Sequence, residues 1–561
     1  MDPEKRNVDA DADADVSPQT SASKIIDRSL LSRKELRILI VAIMVQAFIR
    51  SFEVNLMYST IGYVSALFQA SSIANILPII LEIISAALVP FYIKISDVIG
   101  RSQAMTIAAF MYLAGYCVEG TSNSFLQLAL GQIVYGIGST GLMTLAQVLI
   151  ADVTSLLNRG IFFAAWGMPS TVNVFIANAL LDPLTIAPGA NWRNIYAIIG
   201  SLALGGFIIL LTPLWHYQLA TEKRSASKGQ RTERRSVAWL FSEFDAIGAL
   251  LITMALSLTL LPIILARSYE DNWRSPKILG MFFAGVVSWV LLVVWEVKFS
   301  TRPIMPMRIW ANRTSFGALA VGFFLVLMNA LNYNYLSLYL VVSRDLSYGE
   351  AYLLERGYQV IYPICELLTG FLMKRYKICR PFIWIGLAIH ALGLGLQIPA
   401  RRPSSSDAFV VIAQIIAGGG AGMANNASLV AVTASVVKDD IATAIGVVHI
   451  LSSFAYAFGS GLAGGVWTQY LPTRLAKHIT GPYDERLAMN DPLEYIKKLE
   501  PITKSQLVEA YADSQMLMLI LAIAMSVPVC VSTLFMRPID MSKDEVQRQT
   551  QDETEADIEV K

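Results

Sequence analysis

The chain has 561 residues, 55% of them apolar and 16% charged, where an average soluble domain carries about 25% charge. The charges crowd into residues 1–37, 216–243, 468–513 and 537–561, and what lies between is too apolar for a globule in water. A balance of 44 Lys+Arg against 43 Asp+Glu offers nothing to nucleic acid, and four scattered cysteines without metal-ligand spacing read as packing residues, so no metal or cofactor is expected.

Residues 1–35 form a polar tail expected to be disordered and cytoplasmic; within it, 1–23 lack the apolar core of a cleavable signal, so the first apolar run must direct the chain to a bilayer. Runs of about 20 apolar residues then recur without alternation, which in lipid means helices rather than barrel strands. We place spans at 36–57, 73–93, 103–120, 126–150, 161–181, 194–215, 244–266, 277–297, 314–341, 352–373, 381–399, 408–436, 441–466 and 515–536. The expected fold class is an all-α polytopic membrane protein of fourteen spans. Residues 216–243 form a basic loop, 468–513 a long loop before the last span, and 537–561 a second polar tail.

With the amino terminus in the cytoplasm, the short inner loops hold 18 Lys and Arg and the short outer loops 7, an asymmetry that puts both termini inside and loop 468–513 outside. Faint repetition divides the chain further. Gly136, Gly138 and Gly141 in the fourth span answer Gly418, Gly419, Gly420 and Gly422 in the twelfth, and Asn55 and Tyr58 near the outer end of the first answer Asn332 to Tyr335 in the ninth. Two six-helix halves, 36–215 and 298–536, with the spans of 244–297 inserted between them, suit alternating access around a central site.

The turn between the second and third spans reads Lys94-Ile95-Ser96-Asp97-Val98-Ile99-Gly100-Arg101. Gly100 permits a tight turn, Asp97 can face a helix amino terminus and Arg101 a carboxylate, which together make a latch on the inner face. This turn resembles the signature loop of the major facilitator superfamily, departing from it at Ile93 and Val98; a second copy, Gly370 to Arg380, is more degenerate. The stretch Ala151-Asp152-Val153-Thr154-Ser155-Leu156-Leu157-Asn158-Arg159-Gly160 resembles that of the fungal siderophore-iron transporter family, a fourteen-helix branch of the superfamily. Further matches in order are Trp192-Arg193, Phe244-Asp245-Ala246-Ile247-Gly248, Asn272-Trp273-Arg274-Ser275, Pro303, Pro306, Arg313-Thr314, Trp467, Leu471-Pro472 and Glu509-Ala510-Tyr511. Gln132 stands where many superfamily members have arginine, and Gly167-Met168-Pro169 replaces the fuller motif of drug/proton antiporters, which argues against drug efflux.

Charges inside the bilayer cost at least about 2.5–3.5 kcal/mol each and belong on the bundle interior. Arg50 and Glu53, three residues apart on one helical face, make either a static pair or part of a substrate or proton site. Glu82 and Glu366, in the second helix of each half, are candidates for proton coupling or for interhelical hydrogen bonds; His449 is a coupling candidate or a packed hydrogen-bonding residue. Asp152 and Arg159, at the membrane edge, belong with the latch of Asp97, Gly100 and Arg101. Tyr58, Tyr63, Tyr335 and Tyr339 form either an interfacial belt or a cavity wall for a large ligand, and Tyr511 is expected to turn its ring toward the vestibule beneath loop 468–513.

The resemblance implies proton-driven uptake of a small molecule, an Fe(III)-siderophore chelate, by a monomer in the plasma or an endosomal membrane. Within the same class stand a proton-coupled glutathione exchanger, a haem-uptake carrier and a drug exporter; outside it, a non-transporting nutrient sensor. No phosphate-binding loop supports an ATP-driven pump, and four scattered histidines do not make a membrane enzyme.

Overall fold

A computed structural model describes residues 31–67, 77–185, 191–227, 245–266, 272–300, 303–346, 348–437, 440–490, 495–496, 499–539 and 541. Among the described residues, fourteen helical units stand at the fourteen expected positions. The first six are α1 Arg33–Leu67, α2 Leu77–Ile99, α3 Arg101–Gly120, α4 Phe125–Val153, α5 in two segments, Leu156–Gly167 and Ser170–Thr185, and α6 Arg193–Ser227. Next come α7 Ala246–Leu265, α8 Pro276–Lys298, α9 as Arg313–Tyr333 continued by Leu336–Arg344, and α10 Gly357–Tyr376. The last are α11 Arg380–Ala400, α12 Asp407–Ala434, α13 Ile441–Gly465 and α14 as Pro501–Ala524 followed by Ser526–Leu534.

Among the described residues 11 helices are long and apolar enough to cross a membrane; α2, α3 and α10, of 23, 20 and 20 residues, complete the set. Their outward faces are apolar where a soluble protein would be polar: Phe110 is 67% exposed, Phe283 69% and Leu368 51%. Local signals set the ends. Ser124 and Ser406 cap α4 and α12 by accepting from the backbone N–H groups of Gln127 and Phe409. Asp245 caps α7 through Gly248 N at 2.7 Å, and its carboxylate also takes Trp295 Nε1 at 2.8 Å and Ser300 Oγ at 2.6 Å, which ties α7 to α8. In α5 the helix breaks at Met168 and Pro169, where the proline has no N–H to give.

The packing repeats itself between the halves. In the first, α1 packs on α5 and α6, α2 on α4, and α3 on α4 and α6; in the second, α9 packs on α13 and α14, α10 on α12, and α11 on α12 and α14. The halves then meet crosswise, α2 against α13 and α5 against α10, while α7 and α8 pair with each other and α7 leans on α2 and α13. Small residues bring helices together at matching heights. A Cβ on Gly115 of α3 would lie 2.4 Å from Tyr135 N of α4, and one on Gly393 of α11 2.2 Å from Ala417 N of α12.

Several boundaries differ from expectation: α1 runs to Leu67 rather than 57 and α6 to Ser227 rather than 215. The last helix starts at Pro501 rather than near 515, because the charged stretch 501–514 buries Leu507, Ala510, Tyr511 and Ser514. After Gly465, α13 runs on through a wide π-type turn, Val466–Tyr470, into a short helix, Leu471–His478, packed along α14. The tails 1–30 and 542–561, and most of the basic loop, lie outside the described residues.

Candidate functional site

At the end of the bundle that carries the α2–α3 turn, the five expected latch residues come together. Gly100 has φ of +115°, which favours glycine, and places Arg101 at the start of α3. The guanidinium of Arg101 is buried; Nη1 meets Asp97 Oδ1 at 2.5 Å and Ser96 Oγ at 2.5 Å, and Nε meets Asp152 Oδ2 of α4 at 3.1 Å. Arg159 is buried beside them and donates to Ala151 O at 3.2 Å. One cation between two carboxylates, with a second cation close by, leaves little uncompensated charge around the buried guanidinium, while Asp97 keeps part of its side chain exposed. Gln218 of α6 completes the turn: its Oε1 accepts from Ser102 N at 2.9 Å and Ser102 Oγ at 2.7 Å.

The halves touch at this same end. A Cβ on Gly370 of α10 would lie 2.9 Å from the carbonyl carbon of Gly160 in α5, and one on Gly446 of α13 would lie 2.1 Å from Ile93 Cδ1 of α2. Asn426 of α12 laces the contact by donating to Gly160 O at 3.0 Å and Glu366 O at 2.6 Å.

Further along the bundle the halves present ionisable groups to one another. Arg50 and Glu53 do not form the pair considered above. Glu53 is fully buried and accepts from Tyr112 Oη at 2.6 Å, while no ion pair or hydrogen bond joins Arg50 to a described residue. Arg50 lies within electrostatic reach of Glu53, Tyr112 and Tyr135 in its own half and of His449 in the other. His449 shares a hydrogen bond of 3.1 Å with Gln147 of α4. Glu366 accepts from Asn425 at 2.9 Å and faces the break in α5, where a Cβ on Gly167 would lie 3.5 Å from its Oε2. Glu82 of α2 faces Ser453 of α13.

The aromatic cluster at the other end divides. Tyr335 stacks on Trp467 with centroids 4.5 Å apart, and Trp467 meets the edge of Tyr511 at 5.0 Å. Tyr511 is buried with its hydroxyl on Ala488 O, and Tyr339 is buried with its hydroxyl on Arg401 O. These two hydroxyls are therefore committed to backbone carbonyls, so Tyr339 and Tyr511 anchor this end of the bundle instead of offering polar contacts to a vestibule. The side chains of Tyr58 and Tyr63 lie outside the described ones. Of the apolar anchors expected in loop 468–513, Leu471, Leu475, Ile479, Tyr495, Ile496 and Leu507 are buried, Leu487 is 45% exposed, and Leu493 is outside the described residues.

Arg401 and Glu119 are among the buried ionisable groups that belong to no motif. Arg401 is buried at the end of α11, where Nη1 donates to Gln515 Oε1 at 3.0 Å and Nη2 to Gln397 Oε1 at 2.9 Å and Asn332 O at 2.8 Å. Glu119 is fully buried between α3 and α4, where a Cβ on Gly131 would lie 2.6 Å from its Cγ. Their only signal in the sequence is a charge at the end of an apolar run.

A described group of three or more His, Cys, Asp or Glu able to hold a metal ion is absent. Siderophore iron transporter mirC of Emericella nidulans is 26% identical over 91% of this chain and 85% of its own length. Siderophore iron transporter ARN1 of Saccharomyces cerevisiae is 24% identical over 86% of this chain and 78% of its own. The solved proton:xylose symporter XylE superposes with a TM-score of 0.52 at 13% identity, covering 88% of this chain and 95% of that one, a likeness of fold alone. The resemblance read from the motifs is thus borne out along most of the sequence. With the Major Facilitator Superfamily model matched over residues 43–349 and 319–482, on a bundle of two six-helix halves, the chain belongs to that superfamily and is a secondary membrane transporter.

Proposed function

We propose that the protein imports Fe(III)-siderophore chelates, drives them with protons, and works as a monomer by alternating access. The single observation that carries the substrate is its likeness to fungal transporters named for siderophore iron, over 91% of the chain in the first of them. On this reading the α2–α3 end and both termini face the cytoplasm, an orientation that the excess of basic residues in those loops supports, and the membrane is the plasma membrane or an endosomal one. On this reading Arg50, Tyr58, Tyr63 and Tyr335 face the chelate, whose oxygen-rich surface suits a guanidinium without a carboxylate of its own and ring faces with polar edges. Glu82, Glu366 and His449 each face a residue of the opposite half, and Glu53 lies in its own half beside Arg50, so a proton taken up or given away at any of these four candidates would change how the halves fit. Asp97, Gly100, Arg101, Asp152 and Arg159 hold the cytoplasmic latch.

The test is uptake of radioiron presented as a trihydroxamate, a catecholate and a citrate chelate to cells making the protein, with and without a proton uncoupler. Accumulation of the trihydroxamate, abolished by the uncoupler, is expected. No uptake of any chelate above that of cells lacking the protein would sink the reading.

A further inference from the structure

The second copy of the latch motif, Gly370 to Arg380, has no role in the reading above. A Cβ on Gly138 of α4 would meet Tyr112 N at 2.2 Å, and one on Gly420 of α12 would meet His390 N at 2.3 Å, which sets the two halves in register. Asp152 then corresponds to Ala434 and, counted from Ile93 and Gly370 along the motif, Asp97 corresponds to Lys374. Both carboxylates that hold Arg101 in the first half are therefore missing from the second. The residue after α2 is Gly100, with φ of +115°, and the residue after α10 is Lys377, with φ of +61°. A left-handed position that favours glycine carries a cation here, its N–H still closing α10 on Met373 O at 2.7 Å.

Lys374, Arg375, Lys377 and Arg380 gather at this corner of the bundle, and no ion pair joins any of them to a described residue. Asp440, the described carboxylate beyond α12 at this end, is taken by Arg308. Lys374, Arg375 and Lys377 are exposed. Arg380 is held in place: Nη2 donates to Leu534 O of α14 at 3.2 Å, the guanidinium lies 4.4 Å from the Trp384 ring, and Nε is buried without a protein hydrogen bond. Beside these cations the ends of α10, α11 and α14 expose the apolar and aromatic side chains of Tyr376, Trp384, Leu534 and Phe535. Cations at helix ends next to outward-facing aromatic rings lie at the level of lipid headgroups. A soluble anion would answer the charge and leave the rings without a partner.

We propose that this corner binds the headgroup phosphate of an anionic phospholipid. Arg380, oriented by Leu534 O and the Trp384 ring, meets the phosphate; Lys374, Arg375 and Lys377 balance the rest of the headgroup charge, and the acyl chains run along Tyr376, Trp384 and Phe535. The lipid supplies to the second half the negative charge that Asp97 and Asp152 supply to the first. Neither the substrate nor the orientation proposed above enters into this.

The experiment compares the affinity of the full chain in detergent for radiolabelled phosphatidic acid and for labelled phosphatidylcholine. Phosphatidic acid is expected to bind at least about tenfold more tightly. Lys374→Gln, Arg375→Gln and Lys377→Gln together change only exposed side chains and should remove most of that preference, at roughly fivefold per cation. Lys377→Gly separates binding from folding: it takes the charge from a left-handed position and relieves the strain there, so the melting temperature should not fall while phosphatidic acid binds roughly fivefold more weakly. Equal affinity for the two lipids in the wild type, or unchanged phosphatidic acid binding in the triple variant, overturns the proposal. So does displacement of the lipid by an equal concentration of soluble glycerophosphate, which would make the corner a site for free phosphate. A preference that emerges only after deletion of residues 542–561, with seven Asp and Glu against three Lys and Arg, would give the corner to the chain's own acidic tail and overturn it as well.

Discussion

Gly100 shows how one residue fixes the latch. Its φ of +115° is a backbone conformation that side chains rarely adopt, and a Cβ there would lie 2.1 Å from Gln218 Nε2 and 2.4 Å from Gln103 Oε1. Those amides bond each other at 2.8 Å while Gln218 holds Ser102 at the start of α3. Gly100→Ala therefore combines backbone strain of about 1–3 kcal/mol with a displaced amide network. We expect a lower melting temperature in detergent and a slower transport rate. Placing Gly100→Ala in a background of Gln103→Ala with Gln218→Ala separates the causes, because that background has neither clashing amide and keeps the strain. No further loss from Gly100→Ala in that background would show that φ is not the constraint.

At the scale of elements, the end of the bundle opposite the latch is held by one aromatic column. Tyr335 of α9, Trp467 from the turn after α13 and Tyr511 of α14 join three helices and, through the Tyr511 hydroxyl, the short helix Glu485–Asn490. Arg474 and His478 add contacts to Asp513 at 3.5 and 3.0 Å on the exposed side, which screening makes a minor term. Tyr511→Phe removes one hydrogen bond, about 0.5–1.5 kcal/mol, and should barely alter uptake. Tyr511→Ala empties a buried site at about 3–5 kcal/mol, and should expose residues 479–500 to protease while weakening apparent uptake affinity. Equal protease resistance in both variants would refute the column as the anchor.

The helices themselves were legible in the sequence, because in lipid an apolar run has almost no alternative to a helix. The start of α14 was not, since residues 501–514 carry charges on one face and bury the other against a helix 30 positions earlier, a pairing that hydropathy does not register. The charged residues of the latch were legible because they sit in two local motifs, whereas Gln218, which completes the turn from a distant helix, lies in none. Glu119 and Arg401 were missed for the opposite reason: a charge near the end of a run reads as solvated, and only the three-dimensional packing of α3 and α11 shows that it is enclosed.

For the whole molecule the decisive contact is between halves. Gly370 opens the degenerate second copy of the latch motif, and its Cα face lies against the backbone of Gly160 and Ile161, with ideal-Cβ distances of 2.9 and 2.9 Å. Backbone cannot step aside as a flexible side chain does, so any larger residue must part α5 from α10 at the α2–α3 end. Overpacking of this kind costs about 1–3 kcal/mol, and only the conformation that closes this end bears it. The balance between the two access states should then shift by roughly 5–150-fold. On the proposed substrate, orientation and alternating access, Gly370→Leu is accordingly expected to lower binding of an iron trihydroxamate from the outer face by that factor, since the state open to that face would be the one closed here, and to slow accumulation in parallel. Gly446→Leu acts on the same state through Ile93, a side chain that can rotate away, so its effect should be smaller. If Gly370→Leu leaves both outer-face affinity and accumulation unchanged in protein delivered normally to the membrane, the α5–α10 contact does not hold the closed state.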